Sequence, residues 1–115
     1  DTLVVRDEAG QLVGFALYHI APLAAGRPQD ELRVLKLVAA DVAVLEQLVA
    51  AAEAAALSRD VRRIGFRCQT GFSAAYLALV RLGYRTHWTD LRMTLDGYPE
   101  GPVLDGAIVW SNWEI

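Results

Sequence analysis

The rhythm of apolar and polar positions changes several times along the chain. Residues 2–20, "TLVVRDEAGQLVGFALYHI", form two β-rich runs around "DEAG". Asp7 is placed to bond the local backbone and Gly10 to adopt a positive φ, so the pattern predicts a hairpin. "APLAAGRPQD" brings Pro22, Gly26 and Pro28 and reads as a loop. "ELRVLKLVA", residues 31–39, mixes alternation with near-continuous apolar character, which predicts a strand covered on both faces.

At residue 42 the period lengthens. Val42, Leu45, Val49, Ala52 and Ala56 fall on one stripe, Val44 and Leu48 widen it, and Glu46 and Glu53 lie elsewhere, which predicts a helix over 42–58. Asp41 stands at the N-cap position, where its carboxylate accepts from free first-turn amides. "VRRIGFRC" then reads as a short strand, making residues 31–68 a strand-helix-strand crossover with parallel strands. A second helix carries Phe72, Ala75, Tyr76, Leu79 and Leu82 inward, with Gly83 as its left-handed stop. "YRTHWTDLRMTL" alternates as a strand should. "DGYPEGPVLDG" is turn-rich, and "AIVWSNWE" reads as the last strand. The predicted class is α/β (α+β), a mixed sheet in the order β-β-β-α-β-α-β-β with two helices.

Composition narrows the setting. A chain of 115 residues with 54% apolar side chains is a single domain, 1–115, able to bury a core. It begins without Met and enters a strand at once, which suggests a fragment, or one half of a longer or tandem protein. No run is long enough to span a bilayer and the start has no leader pattern, so a cytoplasmic location and no membrane partner are expected. A formal charge of -3 disfavours nucleic acid as a partner. Cys68 is the only cysteine, which excludes an intrachain disulfide and a cysteine metal cluster; the residue reads as a small core side chain. The basic run at 59–63, "RDVRR", reads as a solvated connection.

The order of elements, and above all "AAEAAALSRDVRRIGFRCQTGFSAAYLALVRLGYRTHWTDLRM", resembles the C-terminal two-thirds of the GNAT superfamily of N-acetyltransferases. Gly83-Tyr84 and Met93 occupy the places of that family's Gly-Phe or Gly-Tyr and of a methionine in the following strand. The resemblance covers residues 2–95 at least and lacks the family's first strand and first two helices. It implies a fold built to bind acetyl-CoA and to let an amine attack its thioester.

The polar positions of that chemistry are missing. The family's pyrophosphate motif, Q/R-x-x-G-x-G/A, would fall within "VAADVAVLEQL", which has no Gly, and no Gln or Arg ahead of the helix. Asp41 would also compete with a phosphate for the helix amides and repel it. In the helix signature N-x-x-A-x-x-L-Y-x-x-x-G-F the small residue matches Ala75, but Asn is replaced by Phe72 and Tyr by Leu79. Tyr76 lies elsewhere around the helix. The general-base neighbourhood holds Val34, Leu35 and Lys36, with Glu31 at the strand's start, so no catalytic residue is assigned. His19 and His87 have no ligand spacing, and no metal site is expected.

Three readings follow. One is a degenerate GNAT-like domain without catalysis, completing an interface with the rest of a parent protein, a second GNAT domain or a second copy as a homodimer. The sheet edge and the late tryptophans Trp110 and Trp113 are its candidate contacts, while Trp88 and Trp110 read more readily as buried core aromatics than as a stack for a ligand. Another is an active acetyl-CoA-dependent N-acetyltransferase acting on an amine. There the resemblance implies that the backbone of Leu37, Val38 and Ala39 holds the pantetheine as an added strand, and that Asp41, Val42 and Ala43 meet the phosphates. The last is a module binding some other apolar ligand in the splayed cleft.

Overall fold

A computed structural model describes residues 1–20, 30–87, 89, 95–98 and 106–111. Its elements run β1 (Thr2–Arg6), β2 (Leu12–His19), β3 (Glu31–Ala39), α1 (Val42–Ser58), β4 (Arg63–Phe66), α2 (Ser73–Arg81) and β5 (Ile108–Ser111). The α+β class, the mixed sheet and the two helices are as the sequence predicts, and five of the six predicted strands are present among the described residues.

The hairpin forms for the reason given by its residues. Asp7 Oδ1 accepts from the Gln11 amide at 2.9 Å, and Gly10 takes φ +81°. β1 and β2 are antiparallel, β2 and β3 are antiparallel, and β3 pairs with β4 in parallel through the α1 crossover.

β3 is the hub of the sheet and carries its main irregularity. Tyr18 pairs with Val34 and Leu17 with Lys36, so Leu35 is an extra residue, a β-bulge. The bulge reverses the alternation: Leu32 and Val34 before it, and Leu37 and Ala39 after it, all face α1 and are buried. The near-continuous apolar run therefore marks a bulge. The expected cover on both faces is not seen among the described residues, since Glu31, Arg33, Lys36 and Val38 lie on the far face and are only half-buried.

α1 lies on the face built by Gly14, Ala16, Tyr18, Val34, Leu37 and Ala39. Its buried stripe is Val44, Leu45, Leu48, Val49, Ala52 and Ala56, the predicted set except that Val42 is only half-buried. Each fully buried leucine or valine of that stripe stabilises by about 1.5–3 kcal/mol. The helix sits close because residue 14 has no side chain: a Cβ there would meet Val44 Cγ1 at 2.5 Å and the Val38 carbonyl at 3.1 Å.

α2 closes the side of the same core with Ala75, Ala78 and Leu79. Leu82, expected inward, is instead 49% exposed, because the helix has already ended there. Gly83 at φ +96° donates to Val80 O and Tyr84 donates to Leu79 O, both at 3.0 Å, a Schellman stop.

Two strands differ from expectation. The predicted 61–68 strand is confined to four residues, Arg63–Phe66, with Val61 tied back to the α1 end by its amide bond to Ala56 O at 2.9 Å. Tyr84 to His87, the start of the predicted 84–95 strand, is not in strand conformation, while Trp88, Met93 and most of its remainder lie outside the described residues.

The last strand is present as Ile108–Ser111 and pairs antiparallel with β3. Trp110 is 2% exposed in the core, the commoner of its two expected settings and not a contact surface, and stands edge-on to Phe66 at 6.2 Å. Trp113, the other tryptophan of that run, lies outside the described residues.

Candidate cofactor site

The end of β3 and the start of α1 hold Leu37, Val38, Ala39, Asp41, Val42 and Ala43, the residues that the resemblance would assign to the pantetheine and phosphates of a cofactor. On one side, Leu37, Val38 and Ala39 pair with Ala16, Phe15 and Gly14 of β2. On the other they pair with Trp110, Val109 and Ile108 of β5. β4 takes the first half of that same β3 edge, from Glu31 to Val34, and β5 takes the second half, from Lys36 to Ala39. The bulged Leu35 is where one neighbour gives way to the other. An added strand has no open edge along Leu37–Ala39, because β5 already lies there.

The helix tip is occupied too. Asp41 has extended backbone, φ -158°, and its Oδ1 accepts from the Val44 amide at 2.8 Å while its carbonyl accepts from Leu45. The carboxylate therefore satisfies one of the free amides that an anion would use, and adds negative charge at the helix's positive end. Val42 is half-buried and Ala43 exposed beside it. The Ala40 amide is spent on Val13 O at 2.9 Å.

An open depression of about 280 Å³ lies at this end of the sheet, lined by residues including Leu12, Val13, Phe15, Ala40 and Ala107. Every described side chain lining it is apolar or absent, so the described residues offer a diphosphate no cation and no hydroxyl there. Gly14 belongs to this wall, but its missing Cβ serves the approach of α1.

The second half of the family pattern is equally apolar. Leu79 is 6% exposed within the core, and Phe72 packs half-buried against it. Phe72 occupies the N-cap of α2 and makes no side-chain capping bond there. Tyr76 turns away and shares a 3.1 Å hydrogen bond with Thr86. His87 is exposed. Among the described residues no group of three or more His, Cys, Asp or Glu is placed to hold a metal.

A pairing not anticipated from the sequence joins α1 to the segment after α2. Tyr84 Oη donates to Glu53 Oε1 at 2.9 Å, and burial together with the neighbouring carboxylate pushes the phenol above its ordinary pKa. The pair lines an open depression of about 300 Å³ with Ala56, Leu57, Val61 and Ile64. The only signal was Tyr84 itself, read as a packing residue of the Gly-Tyr stop.

Cys68 packs half-buried against the core, and burial raises its thiol to about 11, which removes nucleophilic character at neutral pH. The 59–63 basic run is solvated as expected, with Arg59 held by Asp1 at 2.9 Å and Arg63 paired with Asp30.

No family model matches the chain, and no curated protein is similar to it in sequence. Solved structures do share its fold. Wild-type TTHA1254 from Thermus thermophilus superposes with a TM-score of 0.64 at 17% identity, covering 85% of this chain and 72% of that one. A tetramutant of the BH1408 protein from Bacillus halodurans gives 0.65 at 17% identity, covering 82% of this chain and 65% of that one. These likenesses establish shared architecture.

Proposed function

We propose that the chain is a GNAT-like domain that keeps the sheet-and-helix frame of an N-acetyltransferase, no longer binds acetyl-CoA, and completes an interface in a larger assembly. The observation that carries this reading is the β3–β5 ladder. Pantetheine held as an added strand needs unpaired backbone on β3, and Leu37 to Ala39 already pair on both sides. The capped helix tip and the apolar Phe72 and Leu79 support the same reading independently, since each removes a different contact of the cofactor.

An interface role is supported by apolar side chains turned outward. Leu77 and Val80 of α2 are 48% and 47% exposed, one turn apart on its outer side, and Leu57 at the end of α1 is 78% exposed. A short helix that is apolar on both sides reads as one that another surface covers. The rest of a longer parent protein, a second GNAT-like domain or a second copy would supply it. A cytoplasmic setting suits a single unpaired thiol, and no described helix is long and apolar enough to cross a membrane.

The test is calorimetric titration with acetyl-CoA. No saturable heat is expected up to millimolar cofactor, whereas saturation in the micromolar range would restore the active N-acetyltransferase.

A further inference from the structure

His19 closes β2 and lies directly opposite Arg33 in the β2–β3 ladder, on the sheet face turned away from α1. Side chains directly opposite in an antiparallel pair stand about 5 Å apart at their Cβ atoms. His19 Nε2 and Arg33 Nη1 are both shut away from solvent, and neither has a hydrogen-bond partner. Buried polar groups are nearly always satisfied, so two such atoms on neighbouring residues require a common explanation.

The surroundings hold the guanidinium in place. Arg33 Nε donates to Glu31 Oε2 at 3.0 Å, which fixes the plane of the group and leaves Nη1 unused. Gly65 is the register partner of Arg33 on β4, and Glu31 folds over it: a Cβ at residue 65 would meet Glu31 Oε1 at 2.5 Å. The row across three strands is therefore an imidazole, a clamped guanidinium and a glycine roofed by a carboxylate.

Among the described residues, the charge on this face is positive. Lys36 stands on it beyond the bulge, opposite Leu17, and Arg63 is the register partner of Glu31. With Arg33 these make three cations against the two carboxylates of Glu31 and Asp30. An imidazole carrying its proton on Nε2 donates in the same neighbourhood as Nη1.

We infer that His19 and Arg33 form a subsite for a small oxyanion, a carboxylate or phosphate group whose oxygen accepts from Nε2 and Nη1. Charge-assisted bonds of this kind are stronger than those a neutral water would make, and an anion offsets the local excess of cations. Nη1 itself is closed to solvent in the free chain, so the ion enters by displacing the Arg33 side chain, 30% of which lies at the surface. The subsite lies on the sheet face opposite α1, apart from the apolar depression at the α1 tip, and does not depend on the acetyl-CoA reading.

The chain has two histidines, so their imidazole resonances are separable, and exposed His87 serves as an internal control. Wild-type protein is titrated at pH 7 with sodium acetate, sodium phosphate or sodium chloride at matched ionic strength. Acetate or phosphate is expected to shift the His19 resonance along a saturating curve in the millimolar range, with His87 unmoved and chloride without effect. Tighter saturation by acetate identifies a carboxylate, and by phosphate a phosphoryl group.

Arg33→Gln is expected to weaken the saturation at least tenfold. Thermal melting gives a second readout: the binding anion raises the Tm of the wild type and leaves His19→Gln unchanged. A His19 shift that grows linearly with salt as His87 does, or the same saturation in Arg33→Gln, overturns the inference and leaves a bridging water only between the two side chains. An equal rise in Tm for His19→Gln overturns it as well.

Discussion

Trp110 lies directly opposite Leu37 across the β3–β5 ladder, and both side chains are buried, at 2% and 0% exposure. That pairing joins the two properties on which the functional reading turns. It fixes β5 on the half-edge of β3 that an added strand would use, and it anchors the strand by one of the largest buried side chains in the protein.

Trp110→Ala is therefore expected to cost about 3–5 kcal/mol, the usual range for removing a large buried aromatic. Urea denaturation measures it as a lower midpoint. Phe66, edge-on to the indole at 6.2 Å, loses its neighbour in the same variant, so Phe66→Leu and Trp110→Ala should be non-additive in a double-mutant cycle.

Gly14→Ala places a methyl group 2.5 Å from Val44 Cγ1 and 3.1 Å from the Val38 carbonyl oxygen. The expected loss is about 1–3 kcal/mol from overpacking. Adding Val44→Ala should recover part of it, and a double variant less stable than the sum of the two singles would contradict the proposed approach of α1.

Asp41→Ala should destabilise by about 1 kcal/mol through loss of the bond to the Val44 amide, and Asp41→Gly by only a few tenths. Removing the carboxylate opens the helix tip but not the β3 edge. Asp41→Gly is accordingly expected to show no acetyl-CoA binding in calorimetry, and saturable binding in that variant would make the carboxylate the sole obstacle.

Two groups set the alkaline behaviour. Cys68 titrates near 11 in the folded chain against 9.0 for a free thiol, and Tyr84 is also raised, so the folded state holds both protons more tightly than the unfolded chain. Their contribution is fully present below about pH 9 and is lost as pH rises through the folded values. Tyr84→Phe should flatten the fall in stability above pH 10, while at pH 8 Cys68 should react with a maleimide about 100-fold more slowly than a free thiol. Labelling at the free-thiol rate would place Cys68 in solvent.

Much of the frame was legible because local chemistry determines it. Asp7 with Gly10, Asp41, and Gly83 with Tyr84 each act within a few residues of themselves, so a hairpin, a cap and a stop could be placed from neighbouring letters. The α1 stripe was equally readable, because a 17-residue helix against one sheet face repeats its period many times.

What was hidden depends on partners distant in sequence. Leu35 is apolar like its neighbours, and only the pairing of Tyr18 with Val34 and Leu17 with Lys36 reveals it as a bulge. Trp110 could be assigned to a surface or a core only by its strand partner, 73 positions away at Leu37. Leu37, Val38 and Ala39 were readable as a sheet strand, but no property of those residues reports that β5 occupies their second edge. His19 and Arg33 sit on different strands, so their apposition had no local signal at all.

Backbone amide hydrogen exchange, read residue by residue with and without excess acetyl-CoA, tests the central claim most directly. The β3–β5 ladder predicts that the hydrogen-bonded amides of residues 36–39 and 108–111 exchange slowly in the free protein and at the same rates with cofactor present. Fast exchange throughout 108–111 in the free protein, with acetyl-CoA newly protecting Leu37 to Ala39, would contradict it.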